Sequence, residues 1–355
     1  FFILFMLIYC LPVVRAQEEK ISDSQLYVEF MYHSGIFWSR SENLKENFEQ
    51  GYRAFEARLG FQSTGTKAWH QLHKYPKFGV GLQYSDLVKT RIDSLVGNPF
   101  GLFGFFAAPL VSWKKFTLYP DISIGLSYTS LIYDPIKNPL NDVVASHINL
   151  LFGFNMRLYL ALSSRFQMNV GGGLTHHSNG RIQVPQKGIN SWGLSAGMSY
   201  MLNKPVEEYQ HHKLPEFKVS EEMQLMASVG TVEELPRGET EAIRYFNYSI
   251  TADYALKFKP KMALTLGLDV LYDGSLERAI KGIPPEEASY YQKMYLGSHL
   301  GYQHTINRFT LLFNLGTYFR QSSYDRGFWF GRAGSRMRIT EQFYAHLAIK
   351  TKNGI

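Results

Sequence analysis

Three residues in this sequence have types and spacing that can carry out a reaction: His176, Ser178 two positions later, and Asn190 fourteen positions after the histidine. Serine-dependent ester hydrolysis needs a base within hydrogen-bond reach of the hydroxyl, a third group that fixes the imidazole tautomer, and donors for the oxyanion. On a β-strand, residues two apart share a face and lie about 6.6 Å apart, a gap that the two side chains can close. Asn190 comes alongside on an antiparallel neighbour across a loop at 179–189, where its amide oxygen can accept from the imidazole, as Asn does in Cys-His-Asn proteases. Asn179 and the backbone N–H of Gly180, at the strand end, are the candidate oxyanion donors.

The elements that must position these residues follow from alternation. In the strand leading in, the even positions read Phe166, Met168, Val170, Gly172, Leu174, His176, Ser178, and the odd ones Arg165, Gln167, Asn169, Gly171, Gly173, Thr175, His177. In the strand leading out, Asn190 heads the row Trp192, Leu194, Ala196, Met198, Tyr200, opposite a row of Ser191, Gly193, Ser195, Gly197, Ser199. All three candidates therefore continue the apolar rows, and Leu174, Trp192 and Leu194 are the expected substrate-contacting residues. The same two-faced pattern recurs in strands 115–129 and 146–161, where Ile122, Ile124, Leu126 and Phe152, Phe154, Met156 oppose Asp121, Ser123 and Asn149, Asn155, Arg157. One face meets lipid and the other a polar interior, which is the signature of a transmembrane β-barrel.

Composition agrees. No run after the first residues approaches the roughly 20 apolar residues of a spanning helix. The opening FFILFMLIYCLPVVRA has the pattern of a secretory signal peptide, with cleavage expected after Ala16. It lacks an initiator Met and a basic n-region, so the true N-terminus is expected upstream. Its Cys10 is the only cysteine, which excludes disulfides and Cys-ligated zinc from the mature protein. The formal net charge of +7 suits a surface of anionic headgroups. Basic residues are scattered among acids with no single stripe, so no nucleic-acid partner is expected.

Alternation predicts strands at 25–38, 51–62, 76–85, 99–112, 115–129, 146–161, 164–178 and 189–201. Connections at 113–114 and 162–163 are tight, while 39–50, 86–98, 130–145 and 179–189 are longer, and 63–75 breaks the pattern. Short turns mark the periplasmic end, so the 179–189 loop is external. Residues 202–219 are charged, carry two prolines and read as a connector. Beyond them the pattern resumes at 220–231, 243–258, 261–272, 290–305, 307–320, 325–336 and 342–350. This second half reads as a degenerate echo of the first: TEQFYAHLAIKTKNG parallels SSRFQMNVGGGLTHHSNG, keeping Asn353-Gly354 but with Lys350 and Lys352 where His and Ser fall. The organisation is thus a signal peptide at 1–16, a barrel half with the site at 17–201, a connector at 202–219 and a second strand set at 220–355. Because an edge exposed in lipid is not tolerated, one barrel of about 14 to 16 strands is expected, truncated at its C-terminus. Two tandem eight-stranded barrels are the alternative.

HHSNG followed by GIN, with this spacing, resembles the PagL-type lipid A 3-O-deacylase (acyloxyacyl hydrolase) family, eight-stranded outer-membrane barrels whose His, Ser and Glu face the membrane. The resemblance covers residues 20 to 201 and is specific at 175–190. It implies Ser178 as nucleophile, His176 as base, Asn190 as orienting residue and Asn179 near the oxyanion, with Asn190 standing where the family pattern has Glu. An amide cannot stabilise an imidazolium by charge, so a lower rate or a different substrate is implied. The run His176-x-Ser178-Asn179-Gly180-Arg181 with Asn190 also resembles outer-membrane phospholipase A, a twelve-stranded calcium-dependent dimer.

Other motifs fail on context. Gly193-Leu194-Ser195-Ala196-Gly197 matches a nucleophile elbow, but lies mid-strand with Ser195 facing inward. His211 and His212 beside Glu207 and Glu208 read as solvated, His177 as part of the interior with Arg165 or Asn155, and Trp38, Trp69 and Trp113 as interfacial girdle. The expectation is a serine esterase of the bacterial outer membrane that removes an ester-linked acyl chain from lipid A of lipopolysaccharide, without a cofactor. The alternatives are a phospholipase A and a non-catalytic, porin-like barrel.

Overall fold

The structure is a computed structural model that describes residues 23–38, 41–43, 51–87, 93–206, 208–214, 216–234, 242–276, 289–320 and 328–352. Residues 1–16, expected as a signal peptide and holding Cys10, lie outside the described residues, as do Glu207, Asn353, Gly354 and Ile355. The chain divides into two units, Phe1–Lys213 and Leu214–Ile355. No helix among the described residues is long and apolar enough to cross a membrane; the crossing is by strands.

In the first unit the strands are β1 (Ser24–Trp38), β2 (Gly51–Ser63), β3 (Lys77–Asp86), β4 (Phe100–Ala107), β5 (Val111–Trp113), β6 (Phe116–Tyr128), β7 (Ile148–Ala161), β8 (Phe166–Ser178) and β9 (Ile189–Met201). All pairings are antiparallel, and β1 pairs with β9 while β4 pairs with β6. Eight strands thus close on themselves, with β5 a short hairpin arm on β6. Eight is the number at which side chains just fill the interior. Here Arg58 Nη1 and Arg157 Nε reach Asp121 Oδ2 at 2.5 and 3.0 Å, Arg58 also pairs with Glu56, and His33 Nε2 lies 2.8 Å from Glu56 Oε2. Lys77 donates to Gln167 Oε1 at 2.7 Å and lies 3.6 Å from the centroid of the Tyr159 ring. Buried charges persist only when paired in this way. The interior is a neutralising ionic core rather than a channel.

The site sits at the end that carries the longer connections. The exception at the other end, 63–75, holds a short helix α1 (Ala68–Leu72) and receives part of the expected connector. Gln210 N–H donates to Thr64 O at 2.8 Å, Leu26 N–H to Asn203 Oδ1 at 2.6 Å, and Tyr75 stacks on Tyr209 with centroids 4.7 Å apart. His211 is exposed as expected but bonds the Tyr75 hydroxyl at 2.6 Å. Trp69 packs against His70, His73 and Phe78. Burial there pushes the His70 imidazole down to about 4.

The second unit contains β10 (Ser220–Glu234), β11 (Ile243–Lys259), β12 (Met262–Asp273), β13 (Met294–Ile306), β14 (Phe309–Arg320), β15 (Trp329–Arg338) and β16 (Tyr344–Lys352), paired in chain order. The sheet curls until Gln224 of β10 accepts at 2.6 Å from Arg336 of β15. The expected all-β antiparallel barrel strands are therefore present. They divide between an eight-stranded closed barrel and a seven-stranded, nearly closed one, rather than joining the single large ring that the sequence favoured.

Candidate active site

The β8–β9 hairpin places the three candidates as the alternation requires. His176 is directly opposite Asn190, and Asn190 is opposite Trp38 of β1. Across β7, Phe152 faces His176 and Leu150 faces Ser178. The outward row is confirmed by exposure: Leu174 at 45%, Trp192 at 58% and Leu194 at 73% lie on the lipid-facing wall below the site. Ser195, by contrast, is buried and accepts from Arg157 Nη1 at 3.1 Å, which leaves the elbow-like motif without a nucleophile. His177 is inward and buried, but its partner is the Ser127 hydroxyl at 2.9 Å, not Arg165 or Asn155; Arg165 instead donates to the Tyr200 hydroxyl at 3.3 Å.

His176 Nδ1 and Asn190 Oδ1 are 2.7 Å apart. An amide oxygen only accepts, so Nδ1 carries the proton and the Nε2 lone pair is left as the base. Ser178, two residues on, is only 7% exposed, although its row faces outward. No hydrogen bond engages its hydroxyl among the described residues, so it is available to pair with the imidazole when substrate arrives.

The 179–188 loop returns beside Ser178, where a Cβ at Gly188 would lie 3.6 Å from the serine Cβ. Asn179 opens a tight turn in which Ile182 N–H donates to Asn179 O at 3.4 Å, with Gly180 and Arg181 both at positive φ. The side chain of Asn179 is committed to this loop: Nδ2 donates to Ser146 Oγ at 2.9 Å and to Gln183 O at 3.2 Å, and Oδ1 accepts from Arg181 N–H at 3.0 Å. Its backbone N–H donates to Gln186 Oε1 at 3.1 Å. Of the two expected oxyanion donors, Gly180 N–H is the one without a partner among the described residues.

Residues that the sequence reading passed over lock the loop. Asn141, fully buried, donates to Leu95 O at 2.9 Å and accepts from the Val143 and Val144 N–H groups. Val143 and Val144 join Phe37, Tyr52, Leu87, Val96 and Ile189 in an apolar plug at this end of the barrel. Among the described residues, no group of three or more His, Cys, Asp or Glu could hold a metal ion.

Two family models match the chain: lipid A 3-O-deacylase (PagL) over residues 53–199, and acyloxyacyl hydrolase, C-terminal domain, over 221–355. The second half thus matches a domain of its own, beyond the degenerate echo read from the sequence. No curated protein sequence matches. Among solved structures, Neisserial surface protein A is similar at 12% identity over 50% of this chain and 97% of that one, with a TM-score of 0.33. The siderophore receptor PirA from Pseudomonas aeruginosa is similar at 11% identity over 93% and 56%, with a TM-score of 0.26. The family is one of ester hydrolases acting on lipid A from an outer-membrane barrel. With the deacylase model on its closed barrel and the companion C-terminal model on its second unit, this chain belongs to the PagL lipid A deacylase family.

Proposed function

We propose that the chain is a serine esterase that removes an ester-linked acyl chain from lipid A, with Ser178 as nucleophile, His176 as general base and Asn190 as orienting residue. The observation that carries this reading is the 2.7 Å bond from His176 Nδ1 to Asn190, two strand positions from a buried, unengaged serine hydroxyl on the outward face. Ser178 Oγ attacks the ester carbonyl as its proton passes to His176 Nε2. The tetrahedral oxyanion is met by the Gly180 N–H. Collapse expels the sugar or hydroxyacyl alkoxide, which takes the proton back from the imidazolium. Water, deprotonated by the same Nε2, then releases the fatty acid from the acyl-enzyme. The acyl chain lies along Leu174, Trp192 and Leu194, so the ester reaches Ser178 without leaving the bilayer. Residues 1–16 serve as the export signal, and no cofactor enters the cycle.

An amide at the orienting position holds the tautomer but gives no charge to the imidazolium, which fits a slow enzyme. The same amide is the feature that favours a phospholipase reading, and one experiment separates the two. Mass spectrometry of lipid A and phospholipids is compared for cells expressing the full chain and its Ser178→Ala variant, with and without calcium chelation. Loss of one acyl chain from lipid A that disappears in Ser178→Ala supports the deacylase. Calcium-dependent lysophospholipid moves the assignment to phospholipase. No Ser178-dependent change in either pool, with folded protein in the membrane, leaves a non-catalytic barrel.

A further inference from the structure

Gly188 stands against the proposed base without contributing a side chain. It closes the 179–188 loop at φ +70, and its N–H donates to Val143 O at 3.0 Å. A Cβ at this position would lie 3.0 Å from Cε1 of His176, 3.3 Å from His177 O and 3.6 Å from Cβ of Ser178. Cε1 is the ring carbon between the two imidazole nitrogens. The ring is therefore bounded twice: Asn190 holds Nδ1, and the bare backbone of Gly188 backs the carbon beside it. The second boundary matters because rotation of an imidazole about its Cβ–Cγ bond is soft, with a broad, roughly two-fold preference and no sharp wells.

The position of Gly188 is itself set from outside the hairpin. Val143, whose carbonyl holds the Gly188 N–H, is fixed by Asn141 and buried in the apolar plug. We infer that Gly188 is a positioning residue for His176, and that the plug, through the Val143 carbonyl, sets the pose in which Nδ1 meets Asn190 and Nε2 is the base. Glycine is required on two counts. The left-handed backbone disfavours L side chains, and the first atom of any side chain meets the ring.

The kinetic part of this inference rests on the proposed esterase reading, whereas the ring geometry does not. The test uses the full chain in detergent micelles, with Gly188→Ala and Gly188→Asn. Asparagine tolerates the left-handed region better than alanine but still carries a Cβ, so it separates contact from backbone strain and keeps the test alive should the alanine variant fail to fold. Two readouts are taken: the ¹⁵N-labelled histidine ring spectrum, in which the His176 Nδ1–H resonance is assigned by its loss in His176→Ala, and kcat and KM on purified lipid A in mixed micelles. The expected result is a displaced or broadened Nδ1–H resonance in both variants. With it, kcat falls by about 10- to 100-fold while KM stays within about two-fold, as for a small misplacement of a catalytic group. A folded variant with an unchanged ring resonance, or with unchanged kcat, overturns the inference. If the parent chain releases no acyl group, the esterase reading falls while the ring resonance still decides whether Gly188 positions His176.

Discussion

The C-terminal ends of β8 and β16 carry residues that align in sequence and do opposite things. His176 stands on the outward face of β8, bonded to Asn190 on the neighbouring strand. Lys350, its counterpart in the sequence echo, points inward on β16, with Nζ 3.8 Å from Asp269 Oδ1 and 3.9 Å from the centroid of the Phe330 ring. Its cross-strand neighbour Arg332 also pairs with Asp269, which accepts from His299 Nδ1 at 2.5 Å as well. Because side chains alternate with period two, a shift of one position moves a whole strand from wall to core. The echo therefore does not preserve faces. The lysine of the second unit is part of an ionic core like that around Asp121, and is not a worn-down base.

Substitutions can break or sharpen this contrast. The largest effect is expected from His176→Ala, which should cost at least about 10³-fold in kcat on lipid A micelles, while Lys350→Met leaves kcat within about two-fold. Equal losses would dissolve the distinction between wall and core. Asp121→Ala, which strands two buried guanidinium groups, should cost about 3–5 kcal/mol of stability, read as a lower temperature for the heat-modifiable gel shift. Asp269→Ala should do likewise in the second unit. Asn190→Ala should lower kcat by about 10²-fold through loss of the tautomer-fixing acceptor, and Asn190→Asp, which keeps an acceptor and adds charge, should match or exceed the parent rate. The smallest effect belongs to Tyr75→Phe at the opposite end of the first barrel. Removing its bond to His211 should cost only about 0.5–1.5 kcal/mol with kcat unchanged, and a large loss of activity would show that this end communicates with the site.

Alternation made much of this legible. The lipid-facing row from Phe166 to Ser178 and the inward places of Asp121, Asn155 and Arg157 follow from period two alone, because burial on one face is strongly selective. Pairings across the barrel did not follow: His177 meets Ser127 fifty residues away, a contact fixed by closure of the ring and not by local spacing. Nor did the split into two sheets, since fifteen alternating segments fit one ring or two equally well. The supports of the site were the least visible. Asn141, Ser146 and Gly188 act through hydrogen bonds between loops, which carry no periodic signal. A glycine placed just before Ile189 and the strand it begins was the one hint available. The place of Asn179 after Ser178 suggests an oxyanion donor, but its amide hydrogens are spent on Ser146 and Gln183.

The outward-facing row beneath Ser178, backed by a filled interior, gives the proposed chemistry a planar geography. Substrate arrives by diffusing sideways within one leaflet, so encounter depends on how many target molecules share each unit of membrane area and not on their amount per volume of medium. Turnover in mixed micelles should therefore follow the mole fraction of lipid A at the surface and fall when inert amphiphile is added at constant total substrate. Both products remain in the same sheet of lipid, where the freed fatty acid competes for the wall that its parent has just left.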